Sequence, residues 1–251
     1  MRSKKRSGWA EERPFWAVAL TNLVLIVALG AAGTALFLYG QQQGQPELLK
    51  QVPPPLLVFP FFALWLAYLF WGRGFWREVS PRRFQQLGAA DGALLALPLL
   101  VVVVNLFDAQ TTLAWSPNTL AYYAAFCALV AFVEEGLYRG LFIKWLLPRG
   151  WGVAVWVSSA VFGVTHALNL LGGQSVAQTA VQIAFALLFG LVAALLRLRL
   201  GSLLPLMLWH FLFDFTSFLG QNPSGNLGLE VLNCVLLALY AAWLYRQQRS
   251  A

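Results

Sequence analysis

The sequence predicts an all-α fold, a polytopic membrane helix bundle of about eight transmembrane helices. Three observations predict it. Apolar residues make up 59% of the 251 and charged residues only 11%, with a mean hydropathy of +0.67, and no soluble surface can be built from that balance. A bilayer core of roughly 30 Å needs about 20 helical residues, and runs of that length recur along the chain. Basic residues, finally, gather in alternate connections between those runs, as cytoplasmic loops require.

The runs fall at roughly 15–39, 52–71, 89–107, 119–147, 151–170, 176–198, 202–220 and 226–245. The first begins after a basic stretch and resembles a signal peptide, but about 25 apolar residues exceed an h-region, so it reads as a signal anchor. The fourth and fifth runs are separated by Leu147-Pro148-Arg149-Gly150, where Pro and Gly interrupt a span otherwise too long for one crossing.

Basic residues test this division independently. Arg2, Lys4, Lys5, Arg6 and Arg13 precede the first run, and Arg73, Arg77, Arg82 and Arg83 lie between the second and third. Lys144 and Arg149 flank the turn after the fourth, Arg197 and Arg199 follow the sixth, and Arg246 and Arg249 follow the eighth. Fifteen of 17 thus share one side if both termini are cytoplasmic; Lys50 lies outside and Arg139 sits within a helix. The formal charge of +7 is then topogenic, and no nucleic-acid partner is expected. Trp16, Trp71, Trp76, Trp115, Trp145, Trp151 and Trp243 fall near run ends, where an amphipathic ring suits the headgroup layer. Cys127 and Cys234 lie inside runs without CxxC spacing and read as packing residues.

No fixed-period repeat appears, and the longest polar linker, about 72–88, is too short for a soluble domain. The two halves differ in kind. The first three runs carry almost no ionisable residue away from their ends, Asp91 and Asp108 being near boundaries, whereas the fourth, fifth and seventh carry Glu134, Glu135, Arg139, His166, His210 and Asp214. A charge at the bilayer centre costs about 2.5–3.5 kcal/mol on insertion scales, so such groups face the bundle interior, pair, and mark a functional site.

Glu135 and Arg139 are four apart with the acid first, the favourable order for a helical ion pair. Glu134 is turned about 100° from Glu135 and is free to work elsewhere. Counted along ideal helices from the cytoplasmic ends, Glu134 and His166 lie at roughly 20 and 22 Å, His210 and Asp214 at roughly 12 and 18 Å. A carboxylate and an imidazole holding a water, opposite a second imidazole and a short polar side chain, are the parts of a peptide hydrolase. Phe162 reads as packing under His166. Asn169, one turn on, either orients that imidazole or serves as polar helix glue. Trp209 walls the cavity or merely packs.

At these residues a family resemblance appears. Glu134-Glu135-Gly-Leu-Tyr-Arg139 resembles the EExxxR motif of the CAAX protease and bacteriocin-processing family, also called Abi, whose eukaryotic branch is the type II CAAX prenyl endopeptidase, or Ras-converting enzyme. Phe162-Gly-Val-Thr-His166 resembles its FxxxH motif, and His210-Phe-Leu-Phe-Asp214 its HxxxN or HxxxD motif. The resemblance covers about residues 119–220 and implies a glutamate-dependent intramembrane protease. Glu134 and His166 would activate water, His210 and residue 214 would stabilise the oxyanion, and Glu135 and Arg139 would hold the motif in place. Prenyl endopeptidases usually have Asn at the last position, and an ionised Asp cannot donate. Asp214 is therefore protonated, or orients His210, or marks a bacterial-type branch.

These readings divide the chain into a basic cytoplasmic N-terminus (1–14), three N-terminal helices with a basic loop (15–118), a catalytic core (119–220), and a last helix with a cytoplasmic tail (221–251). The expected location is the cell membrane, multi-pass, with both termini cytoplasmic and with the bilayer and a membrane-associated protein or peptide substrate as partners. No cofactor is expected. A second reading gives the same Glu and His residues a zinc ion, which they suit by type though HExxH is lacking. A third is a catalytically silent scaffold or a proton-coupled carrier, although no paired, interrupted halves are seen.

Overall fold

The computed structural model describes residues 8–45, 48–75, 88–108, 116–219 and 227–250. Arg2, Lys4, Lys5, Arg6, Arg77, Arg82, Arg83, Trp76 and Trp115, and the side chains of Lys50 and Asp108, lie outside them.

The described residues form helices and no strand, because a backbone in hydrocarbon has to satisfy its own polar groups within each segment. The main helices are α1 (Pro14–Gln42), α2 (Pro55–Ala67), α3 (Ala96–Asp108), α4 (Pro117–Glu134), α5 (Trp151–Thr165), α6 (Val176–Leu200), α7 (Leu204–Phe218) and α8 (Leu227–Arg249). Local sequence explains several ends. Pro occupies the first turn of α1, α2, α4 and α7, where its missing N–H is no loss. Ser175 caps α6 in a reciprocal box with Gln178, and Gly201, at φ +64°, ends it.

Among the described residues seven helical segments are long and apolar enough to cross a membrane, so the chain is a multi-pass membrane protein. α7 is the exception: its 15 residues rise only about 22 Å. It sits within the bundle, with Pro205, Leu206, Met207, Trp209, His210 and Thr216 buried.

The expected alternation of ends is visible in contacts. Arg149, in the turn between α4 and α5, donates to the backbone carbonyl of Glu12 at 3.2 Å. Trp151, opening α5, packs on Tyr245, near the end of α8, at 4.8 Å. The starts of α1 and α5, the turn Leu147–Arg149 and the end of α8 therefore share one end of the bundle. Of the expected belt, Trp16, Trp71 and Trp243 are exposed. Trp145 is not: it is buried against Phe142, because the end of α4 is enclosed by neighbouring helices rather than by headgroups. Cys127 is buried and Cys234 half-buried, both as free thiols.

Two devices bring the helices onto the motif region. α4 runs on through a π-helical stretch, Glu135–Phe142, a widened i→i+5 turn that is rare and frequent at functional sites. Gly136 and Gly140 lie on this stretch beneath Phe70, and a Cβ at either would meet the Phe70 ring at 3.2–3.3 Å. Only glycine lets the π-helical continuation of α2, Tyr68–Gly72, approach so closely. Polar links add to this from the other side. Asn105 of α3 reaches α7 through Nδ2, 2.8 Å from Thr216 Oγ1, 2.9 Å from Ser217 Oγ and 3.0 Å from the Phe213 carbonyl. Both hydroxyls donate to that carbonyl, which leaves their lone pairs for Asn105.

Candidate active site

His210 stands at the centre of the ionisable cluster. Its Nδ1 donates to Glu135 Oε1 at 2.9 Å, since a carboxylate oxygen can only accept. Its Nε2 faces Glu134 Oε2 at 3.6 Å and Asp214 Oδ2 at 3.4 Å. The first and third sequence motifs, on α4 and α7, thus meet through one imidazole.

That meeting departs from the depths counted along ideal helices, which separate Glu134 from His210 by roughly 8 Å. The π-helical stretch lies between Glu134 and the end of its helix, and a wider turn climbs less per residue than an α-helix. Over eight residues this makes Glu134 shallower by only roughly a few Å than an α-helical count, and the length of the Glu134 and His210 side chains covers the rest.

Arg139 is fully buried with Glu135, its Nη1 3.2 Å from Glu135 Oε1. The two are close enough for an ion pair, yet Nε, Nη1 and Nη2 find no aligned hydrogen-bond partner among the described residues. The guanidinium instead lies over the Phe162 ring at 4.2 Å, a contact worth about 2 kcal/mol when desolvated. Phe162 was expected to pack under His166, and it does so at 4.8 Å, but it also supports Arg139. Room for the guanidinium comes from Gly190 on α6, where a Cβ would stand 3.1 Å from Arg139 Nη2 and 3.1 Å from Ser159 Cβ.

His166 begins the 3₁₀ turn after α5. Its Nδ1 donates to the Phe162 carbonyl at 2.9 Å, so the neutral ring carries its lone pair on Nε2. A cavity of about 90 Å³ is lined by His166, His210, Asp214, Gln182 and aromatic side chains that include Phe185 and Phe213. It is large enough for water. Trp209 does not line it; it stacks on Phe189 at 3.9 Å, behind the His210 ring.

Asn169 donates to Gln182 Oε1 at 2.7 Å, and so orients an amide rather than the His166 imidazole. Four residues of this region, Tyr138, Asn22, Thr165 and Gln182, have no counterpart among the sequence candidates. Tyr138, within the first motif, donates to Asn22 Oδ1 of α1 at 2.9 Å. Thr165, next to His166, lies 3.2 Å from the same oxygen. Gln182 lines the cavity. Asn22 and Gln182 are neutral side chains in apolar helices, and a search for charge passes over them.

The zinc reading has mixed support. Both imidazoles commit Nδ1 to protein acceptors, but an imidazole that donates through Nδ1 keeps Nε2 for a ligand. Among the described residues, however, no three His, Cys, Asp or Glu side chains are arranged to hold a metal ion.

Fold and site together define a multi-pass helical membrane protein with Glu, His and Arg gathered inside the bundle. Residues 114–216 match the model of the family described as type II CAAX prenyl endopeptidase Rce1-like. The match spans 103 of the 251 residues and takes in all three motifs. No curated protein matches the chain.

Proposed function

We propose that the chain is a glutamate-dependent, CAAX-protease-like intramembrane endopeptidase that hydrolyses a peptide bond of a membrane-associated protein or peptide. One observation carries this reading: Glu134, Glu135 and Asp214 converge on His210 within 2.9–3.6 Å, and His166 lines a cavity together with His210 and Asp214.

In this reading residues 119–220 are the catalytic core. A water held by the Glu134 carboxylate and His166 Nε2 loses a proton as its oxygen bonds to the substrate carbonyl carbon, and the carbonyl π pair moves to oxygen. Collapse breaks the C–N bond, and the abstracted proton goes to the leaving nitrogen. Proton transfer of this kind contributes about 10²–10⁴-fold. Glu135 fixes the tautomer of His210, and Arg139 balances Glu135. The basic residues support cytoplasmic termini and an active face reached from that side.

The test is mass spectrometry of peptide termini in membranes carrying the wild-type chain or Glu134→Ala at matched abundance. New termini that depend on Glu134 are expected. Identical termini in both would sink the endopeptidase reading in favour of a scaffold or carrier. Cleavage that persists undiminished in a zinc chelator is expected as well, and its loss there, restored by zinc, would revive the metal reading.

A further inference from the structure

We propose that Gln182 donates a hydrogen bond to the oxyanion formed during hydrolysis, in the place where Asp214 is the wrong side chain for the task. The proposal rests on the endopeptidase reading above.

Amide hydrolysis places a negative charge on the former carbonyl oxygen, and fixed N–H or O–H donors aimed at it are usually the largest single contribution to catalysis. His210 and Asp214 are poorly arranged to supply two. Asp214 as a carboxylate only accepts. With Nδ1 donating to Glu135, a neutral His210 has no proton on Nε2, and a protonated ring offers a single Nε2–H that already faces two carboxylates, Asp214 at 3.4 Å and Glu134 at 3.6 Å.

Gln182 answers the shortage. It lies on the face of α6 formed by Gln182, Phe185, Ala186 and Phe189, all of which line the cavity shared with His166, His210 and Asp214. Positions i, i+3, i+4 and i+7 make one helical stripe, so the amide is the polar group in an apolar wall. Asn169 Nδ2 donates to Gln182 Oε1 at 2.7 Å. That bond fixes which way the amide is turned, with the oxygen toward Asn169 and the NH₂ away from it. No acceptor among the described residues takes that NH₂. Gln182 is half-buried and lines the cavity, so its NH₂ is open to water there and exchanges that water for a substrate oxygen. Asn169 belongs to the same 3₁₀ turn as His166, so the segment that holds the water-activating imidazole also orients the donor.

In the addition step the water oxygen bonds to the carbonyl carbon and the π pair moves to the carbonyl oxygen. Gln182 Nε2–H donates to that oxygen without giving up its proton. Collapse returns the pair and releases the amine, and Gln182 ends unchanged. A neutral amide does this whatever the protonation of the carboxylates around it.

The experiment uses the full chain and a synthetic peptide spanning a cleavage site found by the terminus mapping above. Gln182→Met keeps the length and removes the donor; kcat is expected to fall about 10²–10³-fold with KM nearly unchanged, because the lost contact forms only in the transition state. Adding Asp214→Asn to Gln182→Met supplies an amide from the facing helix and is expected to recover at least about tenfold of kcat, which a packing defect would not permit. If Gln182→Met does not accumulate, Gln182→Glu, which still accepts from Asn169, is expected to show the same loss. Wild-type kcat in Gln182→Met or Gln182→Glu, beside an inactive Glu134→Ala, would overturn the role of Gln182 and leave the endopeptidase reading intact. A rise in KM alone overturns it too. The absence of any Glu134-dependent terminus removes the endopeptidase reading, and the role of Gln182 with it.

Discussion

The first three helices and the motif-bearing helices are built from similarly apolar sequence, yet they meet different surroundings. The best spanning windows of Pro14–Gln42, Pro55–Gly72 and Ala89–Leu106 are 11%, 22% and 22% buried, against 39% and 33% for the motif-bearing Pro117–Arg149 and Trp151–Leu170, and 56% for Val176–Leu200, which packs beside them. The first group mostly faces outward, and a lipid-facing Leu gains little from a partner because hydrocarbon is already its solvent. Motif helices instead enclose charge, which demands partners at fixed distances. Apolar packing joins the two regions, and specific contacts fix it: Phe70 over Gly136 and Gly140, Asn22 on Tyr138, and Asn105 on α7.

This contrast can be broken or sharpened by substitution. The largest effect is expected at His166→Ala, about 10²–10⁴-fold in turnover, with membrane abundance and thermal unfolding in detergent unchanged; a matching loss of the folded protein would make His166 structural. Arg139→Met leaves Glu135 buried without its partner and is expected to destabilise by about 3–5 kcal/mol, read as a lower unfolding temperature. The double variant with Glu135→Gln regains much of that. Gly190→Ala thrusts a methyl against Arg139 and Ser159; overpacking of this kind costs about 1–3 kcal/mol. Smallest is the pair that tests the N-terminal helices. Asn105→Leu is expected to cost about 0.6–2 kcal/mol, whereas Leu23→Ala, at a 54% exposed side chain, stays within about 0.5 kcal/mol. Equal losses for those two would mean that α1 and α3 pack on the core as intimately as its own helices do.

Much of the fold was legible because bilayer thickness and Lys/Arg placement are strong constraints on a chain this apolar. The ionisable part of the site was legible for a related reason: six charged or titratable groups within apolar spans stand out against their surroundings. Neutral polar residues do not. Asn22 and Asn105 give no charge signal, and Gln182 sits where its helix could equally turn it to lipid. Trp145 misled because a Trp near a helix end signals headgroups only when no neighbouring helix covers it. The depth of His210 misled because residue counting assumes an α-helical rise and ignores side-chain length, and nothing in Glu135–Phe142 announces a wider turn.

That widened turn has a consequence for Arg139. All eight residues from Glu135 to Phe142 are buried, so this part of a membrane helix never touches lipid on any side. A long basic side chain in a membrane ordinarily escapes by bending toward the headgroups. Arg139 is walled in and has no such exit. Its charge stays at one depth whatever the thickness or fluidity of the bilayer outside, and the field it casts on Glu134 and Glu135 is set by protein alone.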